Sequence, residues 1–345
     1  MLGYVYGEDG KLSLREVARP TAKKDTAVVK INAASVCGTD FRTYMNGSPK
    51  IVPGTVIGHE CCATIIEKGD GVKGFKVGDR VQIAPAIGCG ECRPCKKGWS
   101  TMCDHLYTIG FQCNGVFAEY MEIPAIAFER GNVNHVPENI SDEEAALAEP
   151  MACALNAQEI CHVEKGDVVA IFGSGFIGCS HAELAFAAGA SKVFMMEVMD
   201  FRIEQAKKLV PNITMINSKE VNLYDTIMKE TNGCGADVVI TACSVGPVHT
   251  DALNIAAKLG RVSLFGGIPG DGKGYLDSNI IHYKELGVFG VHASTAEQNR
   301  TILKKISEGK LKPEKYITRE YPLKDIGDAF EGIRNGKVLK AIIKP

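Results

Sequence analysis

No run in this chain comes near the length of a membrane-spanning helix, about 20 apolar residues. The N-terminus, MLGYVYGEDGKLSLREV, has no basic leader, no long apolar core and no small-residue cleavage site. A secretory signal is therefore not expected, and the cytoplasm is the expected compartment. Charge of one sign is also lacking: 39 Lys and Arg stand against 41 Asp and Glu, a net charge of −2. That balance gives no general attraction for nucleic acid or an anionic membrane, so neither is expected as a partner. Internal repeats, low-complexity tracts and long linkers are missing, which excludes a repeat architecture. The cysteines do not come in an even number, for there are 13. In a reducing compartment they are expected as small buried hydrophobes, metal ligands or reactive thiols rather than disulfides. Cys61, Cys62, Cys153, Cys161, Cys179, Cys234 and Cys243 have apolar or small neighbours and read as packing residues, with Cys113 as filler.

What is present points to two domains, since 345 residues exceed one ordinary core. The first part is β-rich: AVVKINAASV (27–36), VGDRVQIAP (77–85) and NGVFAEYMEIP (114–124) read as strands with their turns. Ser141 and Glu144 form a capping box ahead of an Ala-rich helical stretch, which Pro150 is expected to split into two short helices. From residue 168 strands and helices alternate: VVAIFG, AELAFAAGA, KVFMMEV, DFRIEQAKKL, ADVVITAC, VHTDALNIAAKLG, RVSLFGG. That is the pattern of a doubly wound parallel sheet, an α/β domain. Two further helices, in TAEQNRTILKKISEG and LKDIGDAFEGIRNG, and a closing strand KAIIKP complete the chain. We expect one domain over 1–150 and 289–345, with a lobe at 86–105, and the doubly wound domain over 151–288.

The lobe carries Cys89, Cys92, Cys95 and Cys103 in the spacing C-x2-C-x2-C-x7-C. Two-residue gaps let a tight turn aim successive thiolates at one point, and four thiolates close a tetrahedral zinc site. Arg93, Lys96 and Lys97 supply positive charge beside it. An iron–sulfur cluster is the alternative, but the long last gap and the lack of a following Cys-Pro favour zinc. A DNA-reading zinc ribbon conflicts with the net charge. The lobe is expected to stabilise rather than react.

GSGFIG places Gly173, Gly175 and Gly178 in G-x-G-x-x-G, with Phe176 and Ile177 between, after an apolar strand and at the start of a helix. In that context the pattern is a dinucleotide fingerprint: the glycines permit a tight turn, approach of a pyrophosphate and close helix packing. Glu197 ends the next strand, 19 residues after Gly178. A carboxylate there accepts the ribose hydroxyls and repels a 2′-phosphate, so NAD is expected over NADP. Arg202 is placed to stack on adenine, with a grip on a 2′-phosphate as the alternative. A second metal site reads from Cys37 in SVCGTD, His59 and Glu60 in VIGHE, and Glu149 in AEPM. Thiolate, imidazole and carboxylate suit a zinc that keeps one position for water or substrate. Asp40 is expected to fix the tautomer of His59.

These motifs, with VGDRV at 77–81, GVFAEY at 115–120 and AEP at 148–150 in this order, resemble the zinc-dependent medium-chain dehydrogenase/reductase superfamily. The resemblance runs essentially end to end, and within the superfamily it is to the sorbitol (polyol) and threonine dehydrogenase branch. It implies a GroES-like catalytic domain, a Rossmann domain and a homodimer or homotetramer. It also implies a catalytic zinc on Cys37 and His59, completed by Glu60 or Glu149 directly or through water, and a structural zinc on the four-cysteine lobe. Glu149 matches the glutamate that stands where liver-type alcohol dehydrogenases have a second zinc cysteine. By the same resemblance Thr39 passes on the proton of a secondary alcohol, expected to be a polyol, and hydride goes to the nicotinamide; threonine or another amino or acidic alcohol is the alternative substrate. A zinc-free reductase and a non-catalytic NAD-binding protein are the competing functions, and the ligand set argues against both. Two positions depart from the family: Ala63 replaces a glycine, and Arg42 replaces a relay histidine. Arginine does not usefully give up its proton.

Overall fold

The computed structural model describes residues 1–268 and 272–345. It divides into two compact units, Met1–Ala152 with Ala293–Pro345, and Cys153–His292. Among the described residues no helix is long and apolar enough to cross a membrane.

The first unit is built on a mixed sheet. Its order is Ile317–Pro322, Lys340–Lys344, Ala27–Ser35, Glu60–Lys68, Arg80–Ile83 and Val133–His135, with Tyr120–Ile123 also paired to Ala27–Ser35. The Ala27–Ser35 strand is rich in small and β-branched residues and is buried along most of its length, as suits a central strand. Ile31, Ile65, Val81, Phe117 and Phe330 belong to one core over this sheet. Two registers position the site. Ser35 lies opposite Glu60, and Ile342 lies opposite Ser35. The chain then leaves the sheet at Val36 and enters helix Gly38–Asn46, for which Cys37 is the N-cap.

The stretch 114–124, expected as a turn followed by a strand, is regular only over Tyr120–Ile123. Phe117 accepts from Tyr4 N–H at 2.8 Å and donates to Ile57 at 3.0 Å, so its backbone ties down the chain before His59 instead of extending the ladder. The Ser141–Glu144 capping box forms on helix Asp142–Ala146. The break expected at Pro150 falls earlier, at Leu147, because Pro150 lies in the first turn of helix Ala148–Ile160. There a missing N–H costs no helical hydrogen bond.

The second unit holds six parallel strands among the described residues, in the order Thr214–Asn217, Lys192–Glu197, Val168–Phe172, Ala236–Thr241, Ala256–Leu264 and Gly287–Gly290. Numbered along the chain this is 3-2-1-4-5-6, the doubly wound order that binds dinucleotides where the order reverses. Phe172, Phe194, Val239, Leu253 and Val262 share its core. Helix Phe176–Ala188 ends at Gly189, whose φ of 93° is left-handed and closes the helix. The helix expected over 248–260 stops at Ile255, and the next strand takes Ala256–Leu264. Cys61, Cys62, Cys161 and Cys179 are buried as expected, Cys153 and Cys243 half-buried. Cys234 is exposed, contrary to expectation, because it lies in the turn between helix Leu223–Glu230 and strand Ala236–Thr241.

Candidate functional site

In the first unit the donor atoms of Cys37, His59 and Glu60 all lie within 4.8 Å of one another. Cys37 reaches this point as a helix N-cap: its sulfur accepts the Thr39 N–H at 3.4 Å, and its own N–H donates to Asp40 at 3.0 Å. His59 and Glu60 are aimed by Gly58. That residue has φ of 92°, and a Cβ on it would lie 2.8 Å from the Phe117 ring, so glycine is required twice over. Asp40 Oδ1 lies 3.5 Å from His59 Nδ1, beyond a well-made hydrogen bond. Burial pushes the Asp40 carboxyl up to about 6, against the pull of His59. Burial also opposes charge on the His59 imidazole. The negative potential of Asp40, Cys37 and Glu149 outweighs it and holds His59 well above its ordinary value. Glu149, buried in the first turn of helix Ala148–Ile160, stands outside the three-residue cluster, but its charge acts on His59.

Glu60 is fully buried, and its two oxygens differ. Oε2 accepts from Ser35 Oγ and from Lys340 Nζ, the latter at 2.5 Å. Oε1 has no hydrogen-bond partner among the described residues, and neither has His59 Nδ1. A buried carboxylate oxygen left without a donor is costly. A thiol, an imidazole and a carboxylate oxygen within 4.8 Å of one another form a donor set that fits a divalent cation such as zinc, one ligand short of tetrahedral. Ser35 and Lys340 are additions that sequence reasoning missed. The only hint of Lys340 is a lysine opening an otherwise apolar closing strand.

Arg42 donates to Thr39 Oγ1 at 2.9 Å from the same helix. A hydroxyl has two lone pairs and one proton. With one lone pair taken by Arg42, Thr39 keeps one acceptor and one donor, the pair that a relay needs.

The four lobe cysteines converge to within 4.8 Å as well. Backbone N–H groups donate to their sulfurs: Cys89 N–H to Cys103, Glu91 and Cys92 N–H to Cys89, and His105 N–H to Cys103. Cys92 and Cys103 sulfurs lie 3.7 Å apart. Zinc–sulfur bonds of about 2.3 Å in a tetrahedron require sulfur–sulfur edges of about 3.8 Å, so the lobe fits that ion. The N–H groups of Glu91 and Cys92 pull the Cys89 thiol down to about 6, while burial pushes Cys95 up to about 12.

In the second unit the fingerprint turn lies between strand Val168–Phe172 and helix Phe176–Ala188. Gly173 has φ of 97°. A Cβ on Gly178 would meet the Gly173 carbonyl at 1.9 Å, and one on Gly175 would meet nothing within 4 Å. Gly173 needs glycine for its left-handed backbone and Gly178 for close packing, and Gly175 leaves backbone open to a pyrophosphate at a helix N-terminus. Phe176 is buried and Ile177 half-buried in the first turn of that helix. Glu197 Oε2 accepts from Ser174 N–H and Oγ at 3.1 and 3.0 Å, and Oε1 from Val198 and Met199 N–H at 2.7 and 3.2 Å. The carboxylate therefore braces the glycine turn, a duty its sequence position did not reveal. The Arg202 guanidinium lies 5.9 Å from the Phe201 ring, beside that strand end.

Metal donors one ligand short of closure, and a glycine turn shaped for a pyrophosphate, define a class: metal-assisted oxidoreductases that use a nicotinamide dinucleotide. Residues 23–129 match the alcohol dehydrogenase GroES-like domain, and residues 177–308 match the zinc-binding dehydrogenase family. The chain belongs to the zinc-dependent medium-chain dehydrogenase/reductase superfamily. It is 34% identical to L-threonine 3-dehydrogenase of Pyrococcus abyssi, over 95% of this chain and 94% of that one. It is 29% identical to sorbitol dehydrogenase of Halalkalibacterium halodurans, over 97% and 96%. Two solved structures superpose with TM-scores of 0.91 over 100% of this chain and 99% of theirs. One, from Sinorhizobium meliloti 1021, is bound to NADP at 26% identity; the other, an alcohol dehydrogenase from E. coli CFT073, is complexed with NADH at 27% identity.

Proposed function

We propose that the protein is an NAD-linked dehydrogenase of the cytoplasm, a homodimer or homotetramer that interconverts the secondary alcohol of a polyol and its ketone. The observation that carries this reading is the cluster of Cys37, His59 and Glu60, whose donor atoms lie within 4.8 Å of one another, with the buried Glu60 Oε1 left without a hydrogen-bond partner among the described residues. In it Cys37, His59 and Glu60 hold the catalytic zinc, with Glu149 beside them, and Cys89, Cys92, Cys95 and Cys103 hold the structural zinc. Zinc supplies a Lewis acid that polarises the alcohol oxygen and favours loss of its proton. Thr39 Oγ1 accepts that proton through its remaining lone pair and donates its own outward to cofactor ribose or water. Arg42 orients Thr39 and takes no proton. Gly173, Gly175, Phe176, Ile177 and Gly178 would cradle the pyrophosphate of NAD and Arg202 would stand by the adenine, and the nicotinamide would supply the hydride acceptor for the carbinol carbon. Glu197 disfavours a 2′-phosphate at the adenine ribose.

The polyol reading rests on the glutamate at position 149 and on the sorbitol dehydrogenase relative. The higher identity to the threonine enzyme favours an amino alcohol as a second reading. Both place a polar neighbour beside the reacting carbon. The test is kcat/KM with NAD for sorbitol-like polyols, 2,3-butanediol, threonine, bulky secondary alcohols and ethanol. A polyol at the head of that ranking is the expected result. Threonine at the head selects the second reading, and ethanol overturns both.

A further inference from the structure

Lys340 is almost fully buried, an unusual setting for an ammonium group. Its Nζ donates to Glu60 Oε2 at 2.5 Å and to the carbonyl of Val36 at 2.9 Å. Val36 directly precedes Cys37, so one ammonium spans the carboxylate and the turn that carries the thiol. The sheet explains the meeting. Lys340 opens the strand paired with the end of Ala27–Ser35, and Ser35 faces Glu60 across the next pairing. Ser35 Oγ donates to the same Oε2. Both donors hold one oxygen, Oε2, so the oxygen without a hydrogen-bond partner among the described residues is Oε1, on a carboxylate that brings a donor within 4.8 Å of those of Cys37 and His59.

We propose that Lys340, assisted by Ser35, is a positioning residue that fixes Glu60 as a one-oxygen metal ligand and sets the charge of the catalytic cluster. The inference rests on the zinc reading above. With Oε2 occupied by two donors, Glu60 cannot offer both oxygens to the ion. A thiolate and a carboxylate together cancel the charge of a dication. The buried ammonium returns one positive charge, which favours negative charge developing on the substrate oxygen. Lys340 touches neither substrate nor cofactor; it acts through Glu60.

The test uses the full-length protein with cobalt in place of zinc, and equilibrium competition for zinc against a chromogenic chelator. Cys37→Ala reports the lobe alone, so wild type minus Cys37→Ala isolates the cobalt bands of the catalytic cluster. Lys340→Met is expected to shift those bands and to weaken zinc at this cluster by about 10–100-fold, the scale for losing a partner of a metal ligand. It lowers kcat more than it raises KM and leaves the lobe zinc unchanged. Ser35→Ala, which strands no buried charge, moves the same bands and affinity in the same direction by less. Unmoved bands and unmoved zinc affinity in folded Lys340→Met overturn the inference. If Lys340→Met does not fold, the same null result in Ser35→Ala overturns it. If Cys37→Ala removes no cobalt band, the cluster holds no metal and the parent reading falls with the inference.

Discussion

The Arg42 guanidinium donates to the Thr39 hydroxyl at 2.9 Å, three residues back along one helix. The pair couples a group that cannot release a proton to one that can pass it on. Thr39→Val removes the relay oxygen while keeping the shape. We expect kcat to fall by about 10²-fold or more, the lower range for a positioned proton-transfer group, with KM for NAD unchanged. Thr39→Ser retains most of the rate. Near-normal kcat in Thr39→Val, measured under substrate saturation, removes Thr39 from the mechanism.

The two thiolate clusters separate chemistry from stability. Cys37→Ala and His59→Ala are expected to abolish turnover, to lower zinc from about two per chain to about one, and to leave NAD binding intact. Cys92→Ser also loses about one zinc, but its main effect is on stability. Its Tm drops by about 5 °C or more, the shift that about 2 kcal/mol causes in a domain of this size. Metal analysis with a thermal melt decides: wild-type stability and zinc content in Cys92→Ser reject the structural reading of the lobe.

What could be read from the chain beforehand was local in sequence. The lobe cysteines span fifteen positions (89–103), the fingerprint six (173–178), and the zinc motifs are short blocks, so spacing alone exposed them. The Glu60–Lys340 pair is separated by 280 residues and exists only because three strands pair side by side. No periodicity encodes such a contact. The strands Thr214–Asn217 and Gly287–Gly290 have four residues each and carry no pattern of their own. They become strands by pairing with Lys192–Glu197 and Ala256–Leu264. Helix propensity carries the expected helix through 248–260, but it ends at Ile255, because the parallel pairing of strand Ala256–Leu264 overrides that propensity.

Glu197 does two things at once, and its variants separate them. Its carboxylate accepts four hydrogen bonds from the glycine turn and the strand end, and it carries the negative charge that opposes a 2′-phosphate. Wild type is expected to prefer NAD. Glu197→Ala narrows the NAD-to-NADP ratio of kcat/KM by about 10-fold or more, since hydrogen bonds to a charged group are worth about 1.5–3 kcal/mol. It also weakens both cofactors, because Ser174 loses its brace. A preference for NADP in the wild-type protein refutes the assignment, whatever the variant does.

His181 makes the second unit sensitive to acid. The side chain is fully buried on helix Phe176–Ala188, edge-on to Phe265, and its Nε2 has no hydrogen-bond partner among the described residues. Burial lowers its pKa from 6.5 to about 3. The folded chain therefore stays neutral there while the unfolded chain takes up a proton below pH 6.5. Stability linked to this group is intact above that pH and declines as pH falls toward about 3. At most about 1.4 kcal/mol is lost per pH unit, so about 2 kcal/mol separates pH 7 from pH 5. His181→Gln keeps a polar group of similar size and removes the titration. It is expected to flatten that slope even if it lowers stability at pH 7. Urea melts of both proteins between pH 7 and pH 5 provide the check, and equal slopes reject His181 as the source.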